Sequence, residues 1–429
     1  MDNILIGFVM IMAVVIVIGV VNEKLIKMPN DIALVLFSFL LSALLELIVS
    51  ISGIRISHRI SNGIKEFHLD ELLLNGVLCF MLFAGASKVH YGRFMKNFKA
   101  ISLLALLTTV LSSFVYGGLF YLINRLLGLE LDVWLCVLLG CIVSPTDPIA
   151  ATSILNKLGL SKNVTSVIEG ESLFNDGTGV ALFVCIKNIV NDTSEYSFLE
   201  LMGREILGAL AIGIGVSFVM CKLLRSTKDP TKHIMISLFS VSCVYVVCEY
   251  FEFSGVIASV VCGMFFAKQL EKYDNWRQVV DPENFYLHFW DVADALLNSM
   301  LFVLIGFSIL YIPNHSHLIW LLLSAVVLNF IARFIGVYSS TLLIGKERPN
   351  QYSRMEFTTL MTWSGLKGGL SLALALSTIA FLDQNAYEIV MIVTYATLFF
   401  TTVVQGLTTS KIYKLVEKSK LKRKLSRIK

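Results

Sequence analysis

The sequence predicts an all-α polytopic membrane protein of about thirteen transmembrane helices, built as inverted repeats in which two helices are broken. Three observations carry that expectation: a shortage of charge, apolar runs of span length from end to end, and helix-breaking residues beside acids in mid-span.

The first is compositional. Of 429 residues 56% are hydrophobic and only 15% charged, where soluble proteins carry about 25% charged residues. Mean hydropathy is +0.76, so most of the chain belongs in lipid. The net charge of +4 points to no nucleic-acid partner, because the basic residues collect in loops and in the tail. Eight cysteines sit mostly inside apolar runs without CxxC spacing, which fits small core residues rather than zinc or redox chemistry.

The second is the succession of spans. A bilayer core about 30 Å thick takes roughly 20 apolar residues per helix. Runs of that kind fall at 4–21, 31–52, 70–87, 98–127, 132–158, 161–190, 202–225, 231–251, 253–270, 285–312, 316–345, 352–380 and 385–411. The first lacks a basic leader and is longer than a signal-peptide core, so it is expected to remain as a span. The longest breaks, 54–69 and 271–284, are too short to fold alone. Residues 1–411 are therefore expected to form one transmembrane domain, followed by a short basic tail at 412–429.

An odd number of spans puts the termini on opposite sides. The tail stretch 411–429 holds nine Lys and Arg and should stay cytoplasmic, with the N-terminus outside. The loops agree: 27 of the 35 Lys and Arg fall on the expected inner side and six on the outer. Arg333 and Lys367 remain, both inside spans. The tail's positive charge suits anionic lipid.

The third observation is polar residues in mid-membrane. Charges there are costly and mark a pathway or a partner, and here Asp147, Glu171, Asp176, Arg333 and Lys367 all lie near span midpoints. In Ser144-Pro145-Thr146-Asp147-Pro148 two prolines remove amide donors, so the fifth span must open and Asp147 can cap the restarting half. A plain proline kink would also explain the break, but would not require a buried acid. The sixth span contains Glu169-Gly170-Glu171-Ser172-Leu173-Phe174-Asn175-Asp176-Gly177, with Ser172 and Asp176 on one face and Glu171 and Asn175 on the next. A tight turn joins the two spans, so both acids reach similar depth. Two carboxylates, an amide and the hydroxyls of Thr146 and Ser172 are hard oxygen ligands suited to an alkali cation. All seven histidines lie in loops or near span ends. In the twelfth span, Trp363-Ser364-Gly365-Leu366-Lys367-Gly368-Gly369 places glycines around a buried lysine. It is expected to form a second break, although glycine-mediated helix packing is the alternative. If spans 1–6 and 8–13 are inverted repeats, the breaks occupy corresponding positions, which points to a transport site.

These three motifs, in this order over nearly the whole chain, resemble the monovalent cation:proton antiporter-1 family, the sodium/proton exchangers, and among them the short-tailed bacterial members. The resemblance implies the sodium/proton antiporter fold, with two broken helices crossing, a six-helix core moving against a dimerisation domain, and a homodimer in the cell membrane. It implies antiport of Na+ or Li+ for H+, sodium transport in pH homeostasis and no cofactor. Asp176 would carry cation and proton, Thr146 and Ser172 would add sodium ligands, and Asp147 and Asn175 would hold the site. Glu171 would pair with a basic residue of the twelfth span, here Lys367. Arg333 is assigned a structural salt bridge.

Two departures from the family pattern stand out: Lys367 replaces a common arginine, and Leu82-Phe83-Ala84-Gly85-Ala86 has alanine where some relatives place a glutamate. The Asn175-Asp176 pair resembles the electroneutral branch. Exchange of K+ or of several alkali cations fits the same ligands. An intramembrane aspartyl protease using Asp147 and Asp176 lacks HExxH and GxGD motifs, and a membrane sensor would leave the paired breaks unexplained.

Overall fold

The computed structural model describes residues 2–52, 77–191, 197–272, 282–307, 317–345, 349 and 352–426. Within them the chain is nearly all helix, and each of the thirteen apolar segments carries helix. In chain order these are α1 (Asp2–Val21), α2 (Asn30–Ser52), α3 (Leu78–Lys88), α4 (Phe98–Leu127), α5a (Val133–Val143), α5b (Ile149–Lys157), α6 (Lys162–Val190), α7 (Phe198–Ser226), α8 (Pro230–Tyr250), α9 (Gly255–Lys272), α10 (Pro282–Phe307), α11 (Leu318–Ile344), α12a (Arg354–Ser364), α12b (Gly369–Ser377) and α13 (Gln384–Ser426). Eight continuous helices among the described residues are long and apolar enough to cross a bilayer. The expected loop 54–69, most of 271–284, the start of the third segment and the end of the tenth lie outside the described residues.

Both expected breaks are present. α5a stops at Val143 and α5b restarts after Pro148; α12a stops at Ser364 and α12b restarts after Gly368. Local chemistry sets the outer ends of these pieces. The Asp132 carboxylate accepts from the Trp134 amide at the start of α5a, and Ser353 with Glu356 forms a capping box at the start of α12a.

One boundary differs from the sequence reading. The last span was expected to end at 411, with a basic tail beyond, yet α13 continues to Ser426. The extension is held by α12a: the Arg423 guanidinium lies 2.9 Å from the Glu356 carboxylate, and Tyr413 and Val416 are buried. Hydropathy ends a span where lysines begin. It does not register that one face of a lysine-rich helix still has a partner.

The helices pack in two groups. In the first, α4 lies on α5a and α11, α11 also touches α12a and α13, and α6 touches α5a. In the second, α3 lies on α9, α2 on α10, and α7 on both α8 and α9. α6 reaches the second group through α9 and α7. The outer faces keep large apolar residues exposed, among them Leu207, Phe218, Val246, Ile319 and Leu343, which is costly in water and natural against lipid.

Close approach within the first group depends on absent side chains. A Cβ at Gly140 of α5a would fall 2.1 Å from the carbonyl oxygen of Ser113 in α4. Gly140→Leu is therefore expected to force the two helices apart at a cost of about 1–3 kcal/mol or more. Gly19→Leu, on a surface with nothing within 4 Å, should be tolerated. Melting of the two variants in detergent checks this, and equal melting temperatures would refute it.

Candidate ion-binding site

The two breaks meet. The Asp147 amide donates to the Leu366 carbonyl at 2.8 Å, an antiparallel bridge between the unwound segments. Breaking a helix in hydrocarbon strands backbone groups that must find other partners, and neighbours supply them. The Lys367 ammonium donates to the Ser144 carbonyl at 2.8 Å, so a cation sits at the carbonyl end of α5a. Gln405 donates to the Trp363 and Thr362 carbonyls at 2.6 and 3.2 Å, closing the end of α12a. Thr401 accepts from the Lys367 amide at 3.3 Å and Thr402 donates to the Lys367 carbonyl at 3.2 Å. These two threonines belong to a π-helical turn of α13, Phe400–Gln405, whose wider winding lets consecutive residues serve one point.

Gly368 is required at the crossing. A Cβ there would stand 2.8 Å from Asp147 Cβ and 2.9 Å from its Oδ2. The Asp147 carboxylate thus sits beside the N-terminal end of α12b, where a helix favours negative charge.

α6 supplies the other half of the site. It runs unbroken for 29 residues, so Glu171, Ser172, Asn175 and Asp176 are fixed on a rigid rod. The Thr146 amide donates to Asn175 Oδ1 at 3.2 Å; Asn175 Nδ2 donates to Thr146 Oγ1 at 2.5 Å and to Glu171 Oε1 at 2.9 Å. The hydroxyls of Thr146 and Ser172 share a hydrogen bond of 3.1 Å.

Asp176, Asp147 and Thr146 line a cavity of about 90 Å³, together with Gly368, Asp294 and Asn298. A volume of this size holds a few waters or a partly hydrated ion. Ser172 and Asn175 lie behind the wall, buried and bonded to Thr146. Among the described residues no three His, Cys, Asp or Glu side chains are grouped to hold a metal ion. The oxygen set at the cavity mixes carboxylates with hydroxyl and amide, as hard monovalent cations prefer.

The expected Glu171–Lys367 pair is not what the structure contains. Glu171 Oε1 receives Arg333 Nη1 from α11 at 2.8 Å, with 1% and 4% of the two side chains exposed. Lys367 is committed to Ser144 instead. Lysine delivers a single point charge, which suits a carbonyl at a helix end, while the planar guanidinium of Arg333 suits a carboxylate. Sequence reading also missed Asp294, Asn298, Thr401 and Thr402. The first two had a legible signal, since residues 291, 294, 298 and 301 lie on one face of an apolar helix; the threonines had none.

Residues 13–415 match the family described as sodium/hydrogen exchanger, transmembrane. The chain is 30% identical over 402 residues to the Na(+)/H(+) antiporter NhaP of Pseudomonas aeruginosa, covering 90% of this chain and 91% of that protein. It is 27% identical over 403 residues to the Na(+)/H(+) antiporter NhaH of Halobacillus aidingensis, covering 91% and 93%. In fold it is similar to the sodium proton antiporter MjNhaP1 from Methanocaldococcus jannaschii, with a TM-score of 0.77, 18% identity and coverage of 96% and 97%.

Because a buried charge left without its partner is costly, Arg333→Met is expected to destabilise the protein by about 3–5 kcal/mol. Pairing Arg333→Met with Glu171→Leu should recover much of that loss, whereas pairing Lys367→Met with Glu171→Leu should recover little. Melting of the single and double variants in one detergent supplies both cycles. Stronger coupling of Glu171 to Lys367 than to Arg333 would reverse the assignment.

Proposed function

Because the chain belongs to the sodium/hydrogen exchanger family, we propose that it is a secondary active antiporter exchanging cytoplasmic Na+, or Li+, for external H+ at Asp176. The observation that carries this reading is a cavity reaching the carboxylates of Asp176 and Asp147 at the crossing of two broken helices.

The charge count around the crossing supports one ion at a time. Glu171 and Arg333 neutralise each other. Lys367, held on the Ser144 carbonyl, brings one positive charge to a crossing that carries two further carboxylates, Asp147 and Asp176, so one negative charge is left over. One proton or one Na+ neutralises it, both together would leave an excess positive charge, and moving the empty charged site through low dielectric is costly. Strict alternation of the two loaded forms yields electroneutral exchange without ATP.

In this reading Thr146 Oγ1 and Ser172 Oγ contribute sodium ligands when their mutual hydrogen bond rearranges, and Asn175 with Asp147 holds the frame. The protein is a multi-pass membrane transporter. The asymmetry of Lys and Arg between loops favours an outside N-terminus and a cytoplasmic C-terminus. The two packing groups fit a six-helix core of α4, α5, α6, α11, α12 and α13 moving against the remainder, and the homodimer implied by family resemblance belongs to the same proposal.

Asp176→Asn removes the titrating oxygen and keeps the shape. Sodium-driven proton movement in sealed vesicles is expected to vanish, while insertion and melting match the unmodified protein. Exchange persisting in this variant would end the assignment. Running the unmodified protein with Na+, Li+ and K+ in turn identifies the transported cation, and a response to K+ equal to that for Na+ would replace sodium specificity with a broad alkali one.

A further inference from the structure

Three charged groups outside the crossing lie on a line leading into its cavity. Asp294 and Asn298 of α10 form part of the cavity wall, as do Leu78, Leu82 and Gly85 of α3. One turn beyond Gly85, on the same face of α3, stands Lys88. Its ammonium is 2.7 Å from Asp294 Oδ2 and 3.1 Å from Asp291 Oδ1. The other Asp294 oxygen accepts from the Asn298 amide at 2.8 Å.

Exposure falls along this line. The Asp291 side chain is 59% exposed and that of Asp294 13%, and Asn298 is buried. The order Asp291, Asp294, Asn298 is therefore a polar track running from the protein surface to the cavity lined by Asp176. Asp31, at the start of α2, lies within electrostatic reach of Asp294, and Glu169 within reach of Arg93 and of Lys88. A lysine tethered at this place holds the position that an incoming monovalent cation would take.

We propose that Asp294 is a positioning residue for cation entry and that Lys88 is its built-in competitor, an ammonium that a transported cation must displace on the way to Asp176. The proposal rests on the antiport reading above. A partly exposed ion pair is weak, and its removal changes apparent affinity by a modest factor. That weakness suits a gate: a stronger pair would block the mouth, and a bare carboxylate would retain the cation. With the expected orientation the mouth faces the cytoplasm, since α3 ends and α10 begins on that side.

The two partners give opposite predictions. Lys88→Gln frees Asp294, and the KM for Na+ offered at the face bearing Lys88 should fall about threefold to tenfold. Asp294→Asn leaves the ammonium held by Asp291 alone and removes the carboxylate that would receive the cation next, and that KM should rise by a similar factor. Maximal rate should change little in Lys88→Gln, and Lys88→Arg should restore KM toward its original value. A purely structural tie between α3 and α10 would be lost in both substitutions alike, lowering melting temperature and rate in the same direction.

The experiment measures Na+-dependent proton movement in oriented vesicles, with Na+ presented to each face in turn. If Lys88→Gln does not reach the membrane, Asp294→Asn carries the test alone through the rise in KM at one face. Exchange by the unmodified protein with shifts of the same sign, or with KM unchanged in the variants, overturns the role of the pair and leaves the antiport reading intact. Absence of exchange in the unmodified protein overturns that reading and this proposal with it.

Discussion

The hydrogen bond from the Asp147 amide to the Leu366 carbonyl joins two helices that have given up their own ladders in the middle of the membrane. In hydrocarbon an unmet backbone group costs several kcal/mol, so each break is tolerable only if other segments complete it. Lys367 covers the open carbonyl of α5a, Gln405 covers those of α12a, and the π-turn of α13 presents Thr401 and Thr402 to the Lys367 backbone. The site is thus the place where α5, α12 and α13 each supply what another lacks. Its chemistry follows from that exchange, because the same unwinding that needs partners brings Thr146 and Asp147 to the cavity.

Buried charge obeys a similar accounting. Glu171 is almost fully enclosed and would be intolerable alone; Arg333 compensates it from α11, and Asn175 binds the same oxygen. Asn175 also holds Thr146 from two directions, so the Glu171–Arg333 pair fixes the position of a cavity-lining hydroxyl through a single amide side chain. Lys367, relieved of Glu171, acts on a helix end. Arg333 of the eleventh helix and Lys367 of the twelfth thus serve different partners, one a carboxylate and the other a helix end.

Much of this was legible in the sequence, for identifiable reasons. Prolines at 145 and 148 and glycines at 365, 368 and 369 break helices through local sterics, so the two interruptions were readable without any tertiary information. Periodicity alone placed Ser172 and Asp176 on one face of α6. Partner choice was not readable. Whether Glu171 meets Lys367 or Arg333 depends on how far α11 leans across α6, a quantity fixed by packing. The continuation of α13 to Ser426 escaped for the same reason: Tyr413, Val416 and Arg423 become helical partners only once α12a lies beside them. Asp294, near the middle of α10, was legible as a mid-span acid by position, but no neighbouring helix break marked it as part of the site.

The distribution of bond types around the cavity bears on how access to it changes. The hydrogen bonds described at the site all join α5, α6, α11, α12 and α13, members of one packing group. The facing wall, from α3 and α10, is largely apolar where it meets them: Leu78, Met81, Leu82 and Leu301. Three further contacts between the groups are of the same kind: Phe39 of α2 against Phe399 of α13, Phe114 of α4 against Phe198 of α7, and Gly177 of α6 against Ile257 of α9. Apolar surfaces have no directional bonds to break, so one group can shift against the other while dispersion and burial are largely preserved. A polar seam would have to lose and remake each hydrogen bond at every step. The Lys88–Asp294 pair sits wholly within the second group, so such a shift carries the carboxylates of Asp147 and Asp176 past it and leaves the pair in place.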